Sequence, residues 1–173
     1  MKIKTLHLKD VILIEPKVNY DSRGYFMENF RFDKLNNYVQ TNNFVQDNIV
    51  KSIKNVIRGL HYQSEKPQGK LIQVLKGEIF DVAVDIRKKS KTYGQWVSEI
   101  LSDENKKQLY IPEGYAHGYC VLSEESTVLY KCTQYYIQEN QRGIIWNDST
   151  INIQWPINKP ILSDKDKILP EFK

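Results

Sequence analysis

The sequence predicts an all-β fold, a sandwich or barrel of the jelly-roll kind with short flanking helices. Three observations carry that reading. Short apolar runs with period-two alternation recur along the chain, glycine and proline punctuate them, and helical periodicity is weak and brief. At 173 residues the chain suffices for one well-packed domain that buries roughly 70% of its unfolded surface. No linker, repeat or low-complexity block divides it. A single domain over residues 1–173 is expected, with its jelly-roll core at about 45–155.

Taken in order, the first helix candidate lies in "MENFRFDKLNNYV". Next comes "VIRGLHYQ", Val56 to Gln63, an apolar run that contains an arginine, a glycine and a histidine. In "KLIQVLKGEIFDVAVDIR" two apolar runs flank Lys76-Gly77, which reads as a tight hairpin connection. After it Phe80, Val82, Val84 and Ile86 alternate with Asp81, Ala83 and Asp85, the period of a strand. "QWVSEIL", "QLYIPEG", "GYCVL", "TVLYKCTQYY" and "RGIIW" continue the strand pattern, and Ser102 and Ser163 each suit the N-cap of a turn.

Composition narrows the function classes. A content of 40% hydrophobic and 27% charged residues is ordinary for a globular protein. No apolar run approaches the roughly 18 residues that span a bilayer, and "MKIKTLHLKD" lacks the apolar centre of a signal peptide. Cys120 and Cys132 form no framework and have no metal-type spacing, so free thiols in a reducing cytosol are expected. The expectation is a soluble cytoplasmic protein with no membrane partner. The net charge of +4 is spread over lysines interleaved with acids, as in "SDKDK". That is not the basic stripe of a nucleic-acid binder. A small phosphate-bearing ligand needs only two or three cations and stays open.

Histidine is scarce: His7, His61 and His117 are the only three. Pro112-x-Gly114-x-x-His117 places a rigid turn before a strand that delivers an imidazole, and it resembles the second motif of the cupin jelly rolls. The first cupin motif carries H-x-H, but here His61 is followed two residues on by Gln63. Two imidazoles with amide support make a thin ligand set, so no metal is expected. A neutral imidazole can instead take a proton from carbon when the carbanion is delocalised. Such a base needs electrostatic help, and Arg58 and Lys70 are the nearest cations in sequence. Strict alternation sets Arg58 and His61 on opposite faces, while Gly59 between them offers a bulge that would turn both inward. Tyr130 and Tyr136 are six apart, so an unbroken strand would point both to one face, one as acid and one as stacking platform. The bland alternatives are a core histidine at His61, barrel filling at Tyr130 and a Ser163-x-x-Asp166 capping box.

Ten segments in order, from "DSRGYFMENF", "FVQDN" and "VIRGLHYQ" through "LYKCTQYY" and "RGIIWND" to "IQWP" and "LSDKD", resemble the dTDP-4-dehydrorhamnose 3,5-epimerase family. They cover about residue 12 to residue 166. The resemblance implies that His61 is the base, that Asp166 hydrogen-bonds its imidazole, that Tyr130 is the acid and that Tyr136 stacks on the nucleotide base. It places Arg23, Glu28, Gln46, Asp47, Asn48, Arg58, Lys70, His117 and Lys165 around the sugar and nucleotide. Lys70 is the choice for steadying the C4 enolate, and Arg23 and Arg58 for the diphosphate. The chemistry needs no cofactor, because a C4 ketone acidifies the hydrogens on both C3 and C5. The implied assembly is a homodimer with exchanged strands, in which residues near Arg23 and Glu28 serve the neighbouring site.

Gln141 stands where the family often has glutamate, and Ile49 and Val50 stand where polar residues are common. These departures bear on the substrate rather than the reaction. The expected reaction converts dTDP-4-keto-6-deoxyglucose to dTDP-4-keto-L-rhamnose. Open alternatives are another 4-keto sugar such as a GDP-linked heptose, a metal-dependent cupin, and a non-catalytic sugar-binding barrel.

Overall fold

The computed structural model describes residues 1–39 and 43–173. Thirteen strands follow in chain order: β1 (Lys2–Thr5), β2 (Ile12–Glu15), β3 (Val18–Asp21), β4 (Gly24–Met27), β5 (Gln46–Ile53), β6 (Ile57–Gln63), β7 (Lys70–Lys76), β8 (Glu78–Asp85), β9 (Trp96–Ser102), β10 (Gln108–Ile111), β11 (Tyr115–Val121), β12 (Glu125–Cys132) and β13 (Gln141–Gly143). One short helix, α1 (Phe32–Leu35), lies within the helix candidate. The strands form a six-stranded sheet ordered β1-β2-β10-β7-β12-β5, a five-stranded sheet ordered β13-β6-β11-β8-β9, and the separate hairpin β3-β4. Two antiparallel sheets with such crossovers are the jelly-roll sandwich that the strand pattern predicts. The six-stranded sheet draws on residues 2–15, so the sheets reach beyond the 45–155 core.

The five-stranded sheet and the β2-β10-β7 part of the other are covered on both faces, which explains why whole strands there lose alternation. β10 and β11 are buried at every position. Between the sheets lie Leu13, Ile72, Val74, Leu109 and Val128 from one and Ile79, Ala83, Leu101 and Val121 from the other. Outside the six-stranded sheet, Leu35 and Val39 of the α1 region cover Ile12, Ile14, Leu71 and Tyr110. Outside the five-stranded sheet, Ile144, Ile151, Trp155 and Phe172 of the C-terminal segment cover Leu60, Val82, Val84 and Ala116. Each fully buried aliphatic side chain contributes roughly 1.5–3 kcal/mol of transfer free energy.

The hairpin expected at Lys76-Gly77 does not form. β7 and β8 belong to different sheets, and Gly77 is the corner at which the chain crosses between them. Its φ is +81°, and a Cβ there would lie 2.1 Å from the Glu125 carbonyl oxygen. A glycine corner is as compatible with a sheet change as with a hairpin, and pattern alone cannot separate the two. The Ser102 turn is as expected: Ser102 Oγ accepts from the Asn105 amide while Asn105 Oδ1 accepts from the Ser102 amide.

Candidate active site

The site begins with a break in the pleat of β6. On neighbouring β11, His117 lies opposite His61 and Tyr119 opposite Arg58, so three steps along β6 match two along β11. The extra residue is a β-bulge at Gly59, whose φ is +121° and whose following peptide is cis. A Cβ on Gly59 would lie 2.6 Å from the Gly118 Cα, so backbone packs directly on backbone here. The slip turns Arg58 and His61 to the same side. Both line a cleft of two adjoining lobes of about 530 and 310 Å³ that share His61, Lys70, Tyr130 and Gln141.

His61 Nε2 lies 2.7 Å from Asp166 Oδ1. A carboxylate only accepts, so Nε2 carries the hydrogen and Nδ1 is the basic nitrogen. Burial pushes the Asp166 carboxyl up, but its hydrogen bonds with His61, Ser163 and the Gly59 backbone outweigh this and hold it below its ordinary value. Ser163 Oγ accepts the Asp166 amide at 3.1 Å. The Ser163 bond to the Asp166 amide and the carboxylate–imidazole contact therefore coexist, while the Asp166–Ile168 turn itself starts at Lys165 without a side-chain cap.

A second pair stands next to the first. His117 Nε2 lies 2.8 Å from Asp81 Oδ1, with both groups buried. Burial drives the His117 imidazole to a lower pKa than usual despite Asp81. Burial likewise lowers the Lys70 ammonium, against the pull of Cys132 and Asp81. From the opposite sheet Tyr130 faces the cleft, and burial pushes its phenol up to about 12. His61 and Tyr130 thus stand on facing walls, and burial keeps the Tyr130 phenol protonated at neutral pH. Arg58 Nε donates to Ser52 Oγ at 2.9 Å, which aims the guanidinium along the cleft.

The remaining expected residues divide by place. Gln46 and Asn48 face inward, and Gln46 Oε1 accepts the Tyr136 amide at 2.9 Å. Tyr136 reaches the cleft by a different route from the one its spacing suggested. β12 ends at Cys132, and Tyr136 sits in the following loop, its hydroxyl donating to Gln141 Oε1. Lys165 lies at the rim. Asp47 points to the outer face of β5 and pairs with Lys131 at 2.9 Å. Arg23 and Glu28 lie outside the cleft of their own chain, Arg23 paired with Asp21 and Glu28 with Lys34 and Arg31. Of the departures, Val50 and Gln141 line the cleft while Ile49 faces outward, 67% exposed.

Sequence reasoning missed Asp81, Tyr119, Arg142 and Leu169. An aspartate flanked by Phe80 and Val82 was the available signal for Asp81. The other three line the cleft without a local pattern that marks them. Among the described residues no three histidine, cysteine, aspartate or glutamate side chains converge as a metal site would need.

A family profile described as dTDP-4-dehydrorhamnose 3,5-epimerase matches residues 5–173. The enzyme of that name from Shigella flexneri is 53% identical over 168 residues, spanning 96% of this chain and 93% of the relative. The chain belongs to the dTDP-4-dehydrorhamnose 3,5-epimerase family. It is an enzyme of the epimerase class. Among solved structures, the Legionella pneumophila dTDP-6-deoxy-D-glucose-3,5-epimerase in complex with dTDP-4-keto-L-rhamnose superposes with a TM-score of 0.92, at 44% identity over 99% of this chain and 98% of that one. The Bacillus anthracis epimerase with TDP and PPi bound gives 0.95, at 45% identity over 99% of each chain. The jelly-roll expectation and the epimerase resemblance both hold.

Proposed function

We propose that the cleft converts dTDP-4-keto-6-deoxyglucose to dTDP-4-keto-L-rhamnose by inverting C3 and C5. The observation that carries this reading is the placement of His61 and Tyr130 on facing sheets, with Asp166 at 2.7 Å from the imidazole. His61 takes the proton from a carbon beside the C4 ketone, and the electron pair moves into an enolate. Asp166 stabilises the imidazolium so formed. Lys70 meets the developing charge on the C4 oxygen, while His117, held on Asp81, shapes the wall beside it. Tyr130 donates its proton to the opposite face of the carbanion, which inverts the centre; before the next inversion the imidazolium gives up its proton to solvent and the phenolate takes one from it. No external oxidant or reductant enters the balance. General acid–base catalysis supplies roughly 10²–10⁴-fold, and fixed charges near the oxyanion supply more.

Arg58 and Lys165 supply positive charge for the diphosphate, and Gln46, Asn48 and Tyr136 form the nucleoside end. Arg23 and Glu28 are read as contributions to a partner's cleft in a homodimer. Exposed Tyr20, Tyr25 and Phe26 on the β3-β4 hairpin and Ile49 and Ile53 on edge strand β5 support that assembly. The chain is read as one epimerase domain that works in the cytoplasm. Proton NMR in D₂O with the dTDP sugar tests the reading, with a GDP-4-keto sugar in parallel. Deuterium at both C3 and C5 of the dTDP sugar is expected. Exchange confined to one carbon, or to the GDP sugar, overturns the substrate assignment.

A further inference from the structure

Asp166 belongs to no strand and only to a single 3-10 turn, Asp166–Ile168. Its position depends on how the segment from Ile161 to Phe172 is tied to the barrel. At the near end the Ile161 carbonyl accepts from the Ile57 amide at 3.1 Å, and its own amide donates to Asn55 at 2.8 Å. At the far end Phe172 makes the anchor. Its amide donates to Asp148 Oδ2 at 2.8 Å, and its ring packs on Tyr93 with centroids 4.7 Å apart. Asp148 is itself buried, and its other oxygen accepts the Thr150 and Ile151 amides at 2.9 Å. A buried carboxylate devoted to three backbone amides is a fixed point, since leaving those donors unpaired is costly. Between the two ties, Ser163, Asp166 and Leu169 all line the cleft.

We infer that Phe172 and Asp148 are positioning residues for catalysis: by pinning the far end of the segment, they hold Asp166 on His61. They touch neither the cleft nor the imidazole, and the same end is also tied by the Pro170 carbonyl, which accepts from the Ile145 amide, and by the Tyr93 hydroxyl, which donates to the Lys173 carbonyl. This rests on the reading of His61 and Asp166 as the base and its partner. A displacement near 1 Å in such a pair costs on the order of 10²-fold in rate.

The test is a kinetic cycle on the full chain: Phe172→Ala, Asp166→Asn, the double variant, and Phe172→Leu as the conservative replacement. Folding of each is checked by its thermal transition. Expected are a fall in kcat of about 10²-fold for Phe172→Ala with KM within about threefold, substantial recovery in Phe172→Leu, and a double variant no slower than Asp166→Asn alone. Multiplying effects in the double variant, or a loss confined to KM, would overturn the inference. Wild-type turnover in Asp166→Asn would instead sink the base assignment, so the two failures are separable. Where Phe172→Ala does not fold, Tyr93→Ala removes the ring's partner and is held to the same outcomes.

Discussion

Two histidine–aspartate pairs lie side by side in this molecule and are built differently. His61 and His117 are register partners on adjacent strands. The carboxylate of His61 comes from the C-terminal segment, and its side chain keeps 29% of its surface exposed in the cleft. The carboxylate of His117 comes from β8, the next strand of the same sheet, and there the exposures are 9% for the imidazole and zero for Asp81. Similar contacts of 2.7 and 2.8 Å therefore carry different chemistry. On the proposed reading, the imidazole that faces the cleft is the one that takes the substrate proton. A buried one, with its pKa lowered, stays neutral and serves as a fixed dipole. Surroundings, more than the pair itself, decide the role.

Replacing His61 should be the most damaging change. His61→Ala should leave the fold intact and remove turnover and solvent exchange at C3 and C5, a loss of roughly 10⁴-fold or more for a group acting as sole base. Exchange surviving in that variant would erase the distinction between the pairs. Next in size, Tyr130→Phe should still exchange deuterium but invert roughly 10²–10³-fold more slowly, a difference read by comparing isotope uptake with product formation. Smaller again, Asp81→Asn should lower kcat by about tenfold or less and cost about 1–3 kcal/mol of stability as a disrupted buried pair. A kinetic loss equal to that of Asp166→Asn would show the two pairs working alike.

The smallest effect separates them by pH. His117 has a lowered pKa in the folded state, so unfolding takes up a proton below about pH 6.5 and stability falls as pH drops from 7 toward 5. Asp166 also has a lowered pKa, so its stabilisation is complete above about pH 4 and disappears as pH falls through its folded value. Thermal transitions across this range should show two declines. The first should be absent in His117→Gln and the second reduced in Asp166→Asn.

Much of the fold was legible because strand periodicity and Gly/Pro punctuation are local signals. The runs "QWVSEIL", "QLYIPEG", "GYCVL" and "TVLYKCTQYY" each overlap a strand, whereas "RGIIW" meets only the end of β13, at Arg142 and Gly143. What failed was the pairing of β7 with β8, because a glycine corner records a change of direction and not the identity of the neighbouring strand. The joint inward facing of Arg58 and His61 required the Gly59 bulge, which sequence offered as an option and the register of β11 realises. Asp81 was hidden because the alternation in β8 looked like one wet face and one dry face, whereas the Asp81 side, shared with Ile79 and Ala83, turns in between the sheets and the C-terminal segment covers the other, so both are dry. Tyr136 was placed in the cleft for the wrong reason, a strand that stops four residues earlier. The contact of Asp166 with His61 is a long-range one, and no local pattern specifies it.

The position of Asp166 after the last strand has a consequence for biosynthesis. A chain made from its N-terminus emerges from the ribosome with all thirteen strands ahead of this carboxylate. The segment that carries it, from Ile144 to Phe172, also covers the outer face of the five-stranded sheet. Completing the sheet's outer cover and delivering the carboxylate to His61 are thus tasks of one and the same stretch of polypeptide.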